Sequence, residues 1–422
     1  MRSQLVTEVR SSPLRWLILP LLALDLIFLF TGPRYWIGVW PQASVVAQLA
    51  ALYLGPAMAG VAAWLAARRG PQSEGDDGQS LSARLRWRAA TVLFASTAIY
   101  GLSVYAAGAI VAAAVSVADA GLGFVWVGSM LPGVAVILTC TALGHSAGVV
   151  TRSTLLAPLA CLVGSLVVLR YFANSLSLLV FYGDPYREVA PAAVSFRLAA
   201  ALLACVAALA LTVSLTRWCV GQRLRAACMV AGSVIVLLAA TGLLFLAPYA
   251  GPLVVARDAP APLCSTSSPK VCVWPENRKY LPALSAMAER LRNLPAAIST
   301  PPAFFERGLR SGPGESEQSF EIIEGYLWSA ADGMAQQVLD LSMPPACEPE
   351  SPADEDRAVQ AQRELLTWLK SRAIDGRRPA EIRGGPSVDH EAIGRLVLEP
   401  EHTQQIWVQE RVKVIKETPC VM

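Results

Sequence analysis

Cys264 and Cys272 offer the clearest covalent chemistry in the sequence. They flank the polar loop STSSPKV, which follows a long apolar run that ends near residue 250. A loop this short closes readily, and a disulfide across it would stabilise the folded state by roughly 2 to 3 kcal/mol. Disulfides persist in oxidising compartments, so this bridge requires that the loop lie outside the cytoplasm.

Cys347 and Cys420 complete a set of four cysteines in the polar tail. We predict a second bridge between these two residues, although four cysteines allow three connectivities in all. The alternative is that all four are free thiols, which would hold if the tail were cytoplasmic.

The tail shows no pattern of an enzyme or a metal site. Its only histidines, His390 and His402, are twelve residues apart and belong to no HExxH motif, which argues against zinc. The serines of its loops lie in no GxSxG turn, which argues against a serine hydrolase. The chain also has no GxxxxGK(S/T) motif to hold ATP phosphates. We therefore predict no enzymatic activity for this chain alone, and no catalytic, metal-binding or cofactor-binding residues.

Two ionisable residues interrupt apolar runs, where a charge costs about 2.5 to 3.5 kcal/mol on insertion scales. Asp25, in LLALDLIFLF, faces either a pathway or subunit interface, or the outer boundary with Arg34 or Arg170 as its partner. We favour the second interpretation. His145, in TALGHSAGVV, is surrounded by small residues, which favours a hydrogen-bonded packing histidine over a proton relay.

A cationic cluster, Arg84, Arg86 and Arg88 with Trp87, lies in the stretch SARLRWR. The arginines could pair with acidic residues of a partner protein while Trp87 packs into a groove on it. Anchoring to anionic lipid on the cytoplasmic side explains the same charges without a partner. The sequence leaves both interpretations open.

The apolar composition indicates a membrane protein. Of the 422 residues, 54% are hydrophobic and 16% are charged, whereas about 25% are charged in a typical soluble protein. Seven runs have the length and composition of membrane helices, which need roughly 20 residues to cross the bilayer core. They cover residues 14–31, 43–67, 89–115, 131–150, 154–171, 195–216 and 227–249.

Charge predicts the orientation of these spans. Residues 1–250 carry a net charge of +8 and residues 251–422 carry −5. If the N-terminus is cytoplasmic, twelve arginines of the membrane region fall inside and four outside, as expected for cytoplasmic loops. Seven spans then place residues 251–422 outside, where disulfides persist.

The stretch 172–194, broken by Gly183, Pro185 and Pro191, predicts an outer hairpin that enters the membrane without crossing it.

The tail predicts a soluble, mostly helical α+β domain. Its composition favours strands in KVCVWP, at residues 270–275, and in FEIIEG, at residues 320–325. Apolar periodicity and helix-start signals predict four helices, and Pro, Gly and Ser predict two loops. The helices cover residues 278–294, 327–342, 352–373 and 399–416, and the loops cover 295–319 and 343–353.

This layout resembles the ABC-2 type transporter permease family, with six spans, a contact loop after the second span and an outer hairpin before the sixth. The seventh span and the tail depart from that pattern. However, VCVWPENRKYLPALSAMAERL after the last span resembles the extracytoplasmic tail of an actinobacterial subset. The expected fold is membrane all-α, with that six-helix core plus one helix in residues 1–250 and the extracytoplasmic domain in residues 251–422.

The resemblance implies an exporter of the plasma membrane. The permease would pair with a second copy or a similar chain, and a separate ATPase subunit at its cytoplasmic face would supply ATP and Mg. The cationic cluster would then be the ATPase-coupling loop, and no nucleic acid is implied. The alternative is a non-transporting sensor or scaffold whose outer domain binds a ligand or protein. A membrane-embedded enzyme would need clustered ionisable residues, whereas Asp25 and His145 are the two candidates that we single out within the spans.

Overall fold

The structure is a computed structural model of the chain. It describes residues 13–68, 83–121, 123–151, 153–219, 242, 251–310, 319–343, 351–374 and 388–418. The chain divides into two compact units. The first comprises Met1–Asp119 and Gly123–Val255, and the second comprises Ala120–Leu122 and Ala256–Met422.

Helices form most of the described part of the first unit. They are α1 (Ile18–Thr31), α2 (Trp40–Leu49), α3 (Ala51–Arg68), α4 (Ala83–Ser116), α5 (Val127–Thr151), α6 (Leu156–Phe172) and α7 (Pro191–Cys219). A helix satisfies its main-chain polar groups internally, which is why apolar runs take this form in a bilayer.

Among the described residues, five segments are long and apolar enough to cross a membrane, which indicates a membrane protein. They are Leu14–Thr31, Trp40–Arg68, Arg88–Ser116, Val127–Thr151 and Pro191–Ser214. Each coincides with one of the predicted spans. The predicted span at 154–171 is the 17-residue α6, which is shorter than these five. The predicted span at 227–249 lies outside the described residues, apart from Gly242.

Small residues allow α3 and α5 to pack closely. A Cβ atom added at Gly144 of α5 would lie 2.0 Å from the Ala59 carbonyl oxygen of α3, and one at Gly148 would lie 2.2 Å from the Ala63 carbonyl oxygen. The two glycines are four residues apart and therefore lie on one face of α5. Helices in lipid associate through such small-residue faces, because the hydrophobic effect does not drive helices together in lipid and close backbone packing must stabilise the contact instead.

The stretch between α6 and α7, predicted as an outer hairpin at 172–194, consists of turns and irregular chain with one short strand. Leu178, Leu179 and Val180 are buried, and the Gln48 side chain donates a hydrogen bond to the Val180 carbonyl oxygen at 3.1 Å. The strand β1 (Arg187–Val189) then pairs with β2 (Val254–Ala256). Ala190 N also donates to the Leu253 carbonyl oxygen at 2.9 Å. The segment thus packs against the helices through its buried residues 178–180 and through the β1–β2 pair.

The second unit combines a three-stranded sheet with helices. Strand β3 (Leu263–Cys264) pairs antiparallel with β4 (Lys270–Val273), which pairs in parallel with β5 (Ala303–Phe305). The helices are α8 (Leu281–Arg290), α9 (Leu327–Ser342), α10 (Pro352–Ile374), α11 (His390–Leu396) and α12 (Glu401–Glu417). One apolar core joins the sheet to these helices, and its largest members include Trp368, Phe304, Phe320, Leu284 and Leu365.

The four helices predicted in this unit are confirmed, and the strand predicted at KVCVWP is β4. The strand predicted at 320–325 is wrong: the segment forms isolated bridges only. Its chain reverses at Glu324 and Gly325, whose φ angles are +46° and +72°, and left-handed residues end a strand. Strand β5 lies inside the loop predicted at 295–319, and neither β3 nor α11 was predicted.

Candidate functional site

Asp25 lies in the middle of α1 with its side chain buried. It packs against Gly108 of α4, where an added Cβ atom would lie 1.9 Å from Asp25 Oδ2. This oxygen has no hydrogen-bond partner among the described residues. The partners favoured from sequence, Arg34 and Arg170, form no ion pair with Asp25 in the described part of the chain. The carboxylate instead packs against α4 at Gly108.

His145 is buried between helices. Its Nε2 atom lies 3.1 Å from the hydroxyl of Thr212 on α7, and its ring meets Phe94 of α4 edge-on at 5.5 Å. The ring is thus held by a hydrogen bond and by aromatic packing.

Residues 144–148 spell GHSAG, which has the GxSxG form of a hydrolase nucleophile turn. That chemistry requires a strand-to-helix turn that exposes the serine. Here the residues lie inside α5, and the Ser146 hydroxyl donates to the Ala142 carbonyl oxygen at 2.8 Å. Gly144 and Gly148 instead provide the contact with α3.

The predicted coupling loop is helical. Helix α4 contains 34 residues, and its apolar span begins only at Arg88. The backbone of residues 83–87 therefore continues the helix beyond the span, although the side chains of Arg84, Arg86 and Trp87 lie outside the described part. At 100° per residue, positions 84, 87 and 88 fall within an arc of about 100°, and position 86 lies opposite.

This helical geometry changes which of the three arginines can face one partner. Their alternation in sequence would place them on one side of an extended segment, whereas on a helix Arg86 lies on the other side from Arg84, Trp87 and Arg88. A partner that docks on this helix therefore meets one aromatic and two cationic positions.

An apolar groove with a volume of about 400 Å³ runs along α5 and α6. Its lining extends along α5 from Pro132 to Ala147, a distance of about 22 Å at the helical rise. Two hydroxyls among the lining residues donate to their own helices: Thr139 to the Ala135 carbonyl oxygen and Ser165 to that of Cys161. The groove therefore presents mainly carbon. Other lining residues are Val136, Leu143, Ala160, Gly164, Leu169 and Leu178.

Arg197 of α7 also lines this groove, although its side chain is only 2% exposed. Its Nε and Nη2 atoms donate to the Ser177 carbonyl oxygen at 3.1 and 2.9 Å, and Nη1 donates to that of Ala193 at 2.8 Å. It forms no ion pair with a carboxylate of the described residues. Sequence reasoning counted Arg197 only toward the charge bias, although its position inside the run AAVSFRLAAALL marked it as an intramembrane charge.

A buried carboxyl group lies in the second unit directly after β5. Glu306, 3% exposed, accepts hydrogen bonds from Trp274 N at 2.9 Å and from Asn277 Nδ2 at 2.5 Å. Burial is the main cause that raises the pKa of Glu306 to about 8; the two hydrogen bonds act against this shift, and the neighbouring carboxylates of Glu276 and Glu321 add to it. Sequence reasoning missed this residue, because nothing in AFFERG distinguishes it from an exposed glutamate.

The disulfide between Cys264 and Cys272 is confirmed. The two residues lie directly opposite each other in the β3–β4 pair, so the sheet register brings them together. Cys347 and Cys420 lie outside the described residues. Within the described part, no group of three or more His, Cys, Asp or Glu side chains could hold a metal ion.

Residues 271–418 match a family described as a domain of unknown function, DUF7224. The match begins in β4, ends after α12 and includes none of the membrane helices. No curated protein and no solved structure matches the chain.

Proposed function

We propose that the chain is the permease subunit of an ATP-driven exporter of the ABC-2 type. It forms the membrane pathway and receives the energy of ATP hydrolysis from a separate ATPase subunit. ATP and Mg bind to that subunit, and two permease chains, identical or similar, form the pathway together.

The observation that carries this proposal is the extension of α4 beyond its membrane span. A rigid helix that continues from Ala83 into the span at Arg88 transmits a push or rotation at its end directly into the bundle. A flexible loop would absorb the same motion. The extension also carries Trp87, Arg84 and Arg88, residue types that commonly dominate protein interfaces.

We also propose that the N-terminus and the extension of α4 are cytoplasmic, and that residues 251–422 are extracytoplasmic. The excess of arginines at one end of the spans supports this orientation. The pairing of β1 with β2 supports it further, because it places the segment before α7 beside the segment at residue 254. Since α7 is 29 residues long, its far end lies across the bilayer from both strands. A seventh crossing between Cys219 and Gly251 accounts for the return.

The proposal is tested by weakening the partner-facing side of the extension. We expect Trp87→Ala combined with Arg84→Glu to reduce the recovery of a co-purified ATPase at least tenfold, because truncated aromatic and arginine anchors commonly lose about 2 kcal/mol or more. Detergent-solubilised complexes would be purified on the tagged permease. The amount of Walker A protein and the rate of ATP hydrolysis would then be measured.

Arg86→Glu is the matched control, because it makes the same charge change on the opposite side of the same helix. We expect this variant to retain the ATPase. If Trp87→Ala combined with Arg84→Glu retains the ATPase in full, the extension acts only as a lipid anchor. If the wild-type chain recovers no Walker A protein, it is not an exporter subunit, and a sensor or scaffold role replaces the proposal.

A further inference from the structure

We propose that the groove beside α5 and α6 binds an anionic phospholipid, with an acyl chain along the groove and the phosphate at Arg197. This proposal is independent of the transported substrate and of the ATPase partner. It assigns the groove to a lipid that remains bound to the protein.

The shape of the groove suits an acyl chain. It is an elongated space of about 400 Å³, bounded by Val136, Leu143, Leu169 and other apolar residues. The lining on α5 extends for about 22 Å along the helix axis, whereas one leaflet contributes roughly half of a 30 Å hydrocarbon core. An acyl chain that enters from one leaflet can therefore lie fully within it.

The charge of the groove selects the headgroup. Three of the five N–H groups of Arg197 donate to main-chain oxygens, and these neutral acceptors leave the positive charge of the guanidinium uncompensated. A buried cation without a counter-ion is costly. A phosphate oxygen would supply the missing charge and accept from the remaining N–H groups.

The depth of Arg197 also fits a phosphate. The residue lies six positions after the first residue of α7, Pro191, which places its Cα about 9 Å along the helix axis. A long arginine side chain at this depth reaches the boundary between acyl chains and headgroups. The main-chain acceptors Ser177 and Ala193 hold the guanidinium at this end of the groove.

Lipid retention tests the proposal. The full-length protein would be purified from nanodiscs that contain equal amounts of phosphatidylglycerol and phosphatidylcholine, and the lipids that remain after detergent exchange would be counted by native mass spectrometry. We expect wild-type protein to retain phosphatidylglycerol with about a tenfold preference over phosphatidylcholine. We expect Arg197→Gln to lose that preference.

Gly164→Leu provides a second variant that does not disturb Arg197. A Cβ atom added at Gly164 would have no neighbour within 4 Å, so the new side chain fills the groove without a clash. We expect this variant to keep the thermal stability of the wild type and to lose the retained lipid. Arg170→Gln, at an exposed arginine of α6, is the control for nonspecific attraction and should retain the lipid.

Any of three results would overturn the proposal. If Gly164→Leu retains as much phosphatidylglycerol as the wild type, the lipid lies elsewhere. If Arg197→Gln folds and keeps the tenfold preference, or Arg170→Gln abolishes it, Arg197 does not select the headgroup. Should Arg197→Gln fail to fold, the retention by Gly164→Leu decides the outcome.

Discussion

Glu306 is a carboxyl group that folding moves out of water, and its protonation is therefore coupled to stability. Its pKa rises from an ordinary value of 4.5 to about 8 in the folded protein, chiefly through burial. The folded state thus holds a proton that the unfolded state releases between these two values. The contribution of Glu306 to the free energy of unfolding is fully present below pH 4.5. It falls as the pH rises toward 8, with a slope of up to about 1.4 kcal/mol per pH unit.

We predict that Glu306→Gln removes this slope, because the new amide does not titrate. The buried Oδ1 atom of Asn277 has no hydrogen-bond partner in the described part of the chain, and a rotated Asn277 amide would present this oxygen to the introduced amide nitrogen. The introduced carbonyl oxygen would still accept from Trp274 N. Urea unfolding of the second unit in the full-length protein, followed by pulse proteolysis between pH 5 and pH 8.5, measures the effect.

Glu321→Gln is the matched control for Glu306→Gln. It makes the same substitution at a neighbouring carboxylate that is less buried and is paired with Arg307 at 2.9 Å. We expect this control to keep the pH slope of the wild type. If Glu306→Gln keeps that slope as well, another group is responsible for it.

Individual contacts were the least predictable feature of this sequence. The composition showed that Asp25 lies in an apolar run, but its neighbour Gly108 is more than eighty residues away along the chain. Glu306 likewise accepts a hydrogen bond from Asn277 across a fold that no local pattern encodes. The disulfide was predictable because the two cysteines are close in sequence and a short polar loop separates them.

At the scale of elements, the contact between α3 and α5 depends on two glycines. We predict that Gly144→Ala lowers the melting temperature in detergent by several degrees, because the new Cβ atom would lie 2.0 Å from the Ala59 carbonyl oxygen. Overpacking of this kind typically costs about 1 to 3 kcal/mol. Thermal unfolding monitored by fluorescence-detected size-exclusion chromatography would measure the change.

The control for Gly144→Ala is Gly164→Ala, which makes the same substitution in α6, where no atom lies within 4 Å of the added Cβ. Alanine favours a helix over glycine by up to about 1 kcal/mol, so we expect an equal or slightly higher melting temperature. Equal losses in the two variants would show that the α3–α5 crossing tolerates a methyl group.

The helices were predictable because each contains its own signal. Long apolar runs gave the membrane helices, and apolar periodicity gave α8, α9, α10 and α12, since these patterns depend on neighbouring residues alone. The short strands β3 and β5 contain two and three residues. They exist only because β4 lies between them, which is a long-range arrangement that no local pattern reveals.

The β1–β2 pair makes the orientation proposed for the whole molecule testable. In the proposed orientation, α7 leaves the outer face on which β1 lies and β2 returns beside β1, so the two strands share that face. We predict that Glu188→Cys and Asp258→Cys, both at exposed positions, react in intact cells with a maleimide that cannot cross the membrane. Gly75→Cys should react only after the cells are permeabilised, because positive residues flank it on the cytoplasmic side.

The unsubstituted chain, labelled in parallel, gives the background of the native cysteines. If Glu188→Cys and Asp258→Cys report opposite sides, the pairing of β1 with β2 is wrong and the chain does not cross between α7 and β2. If both are protected in intact cells while Gly75→Cys is labelled, the pairing stands but the orientation is reversed. The second unit would then lie in the reducing cytoplasm, where the bridge between Cys264 and Cys272 would not persist.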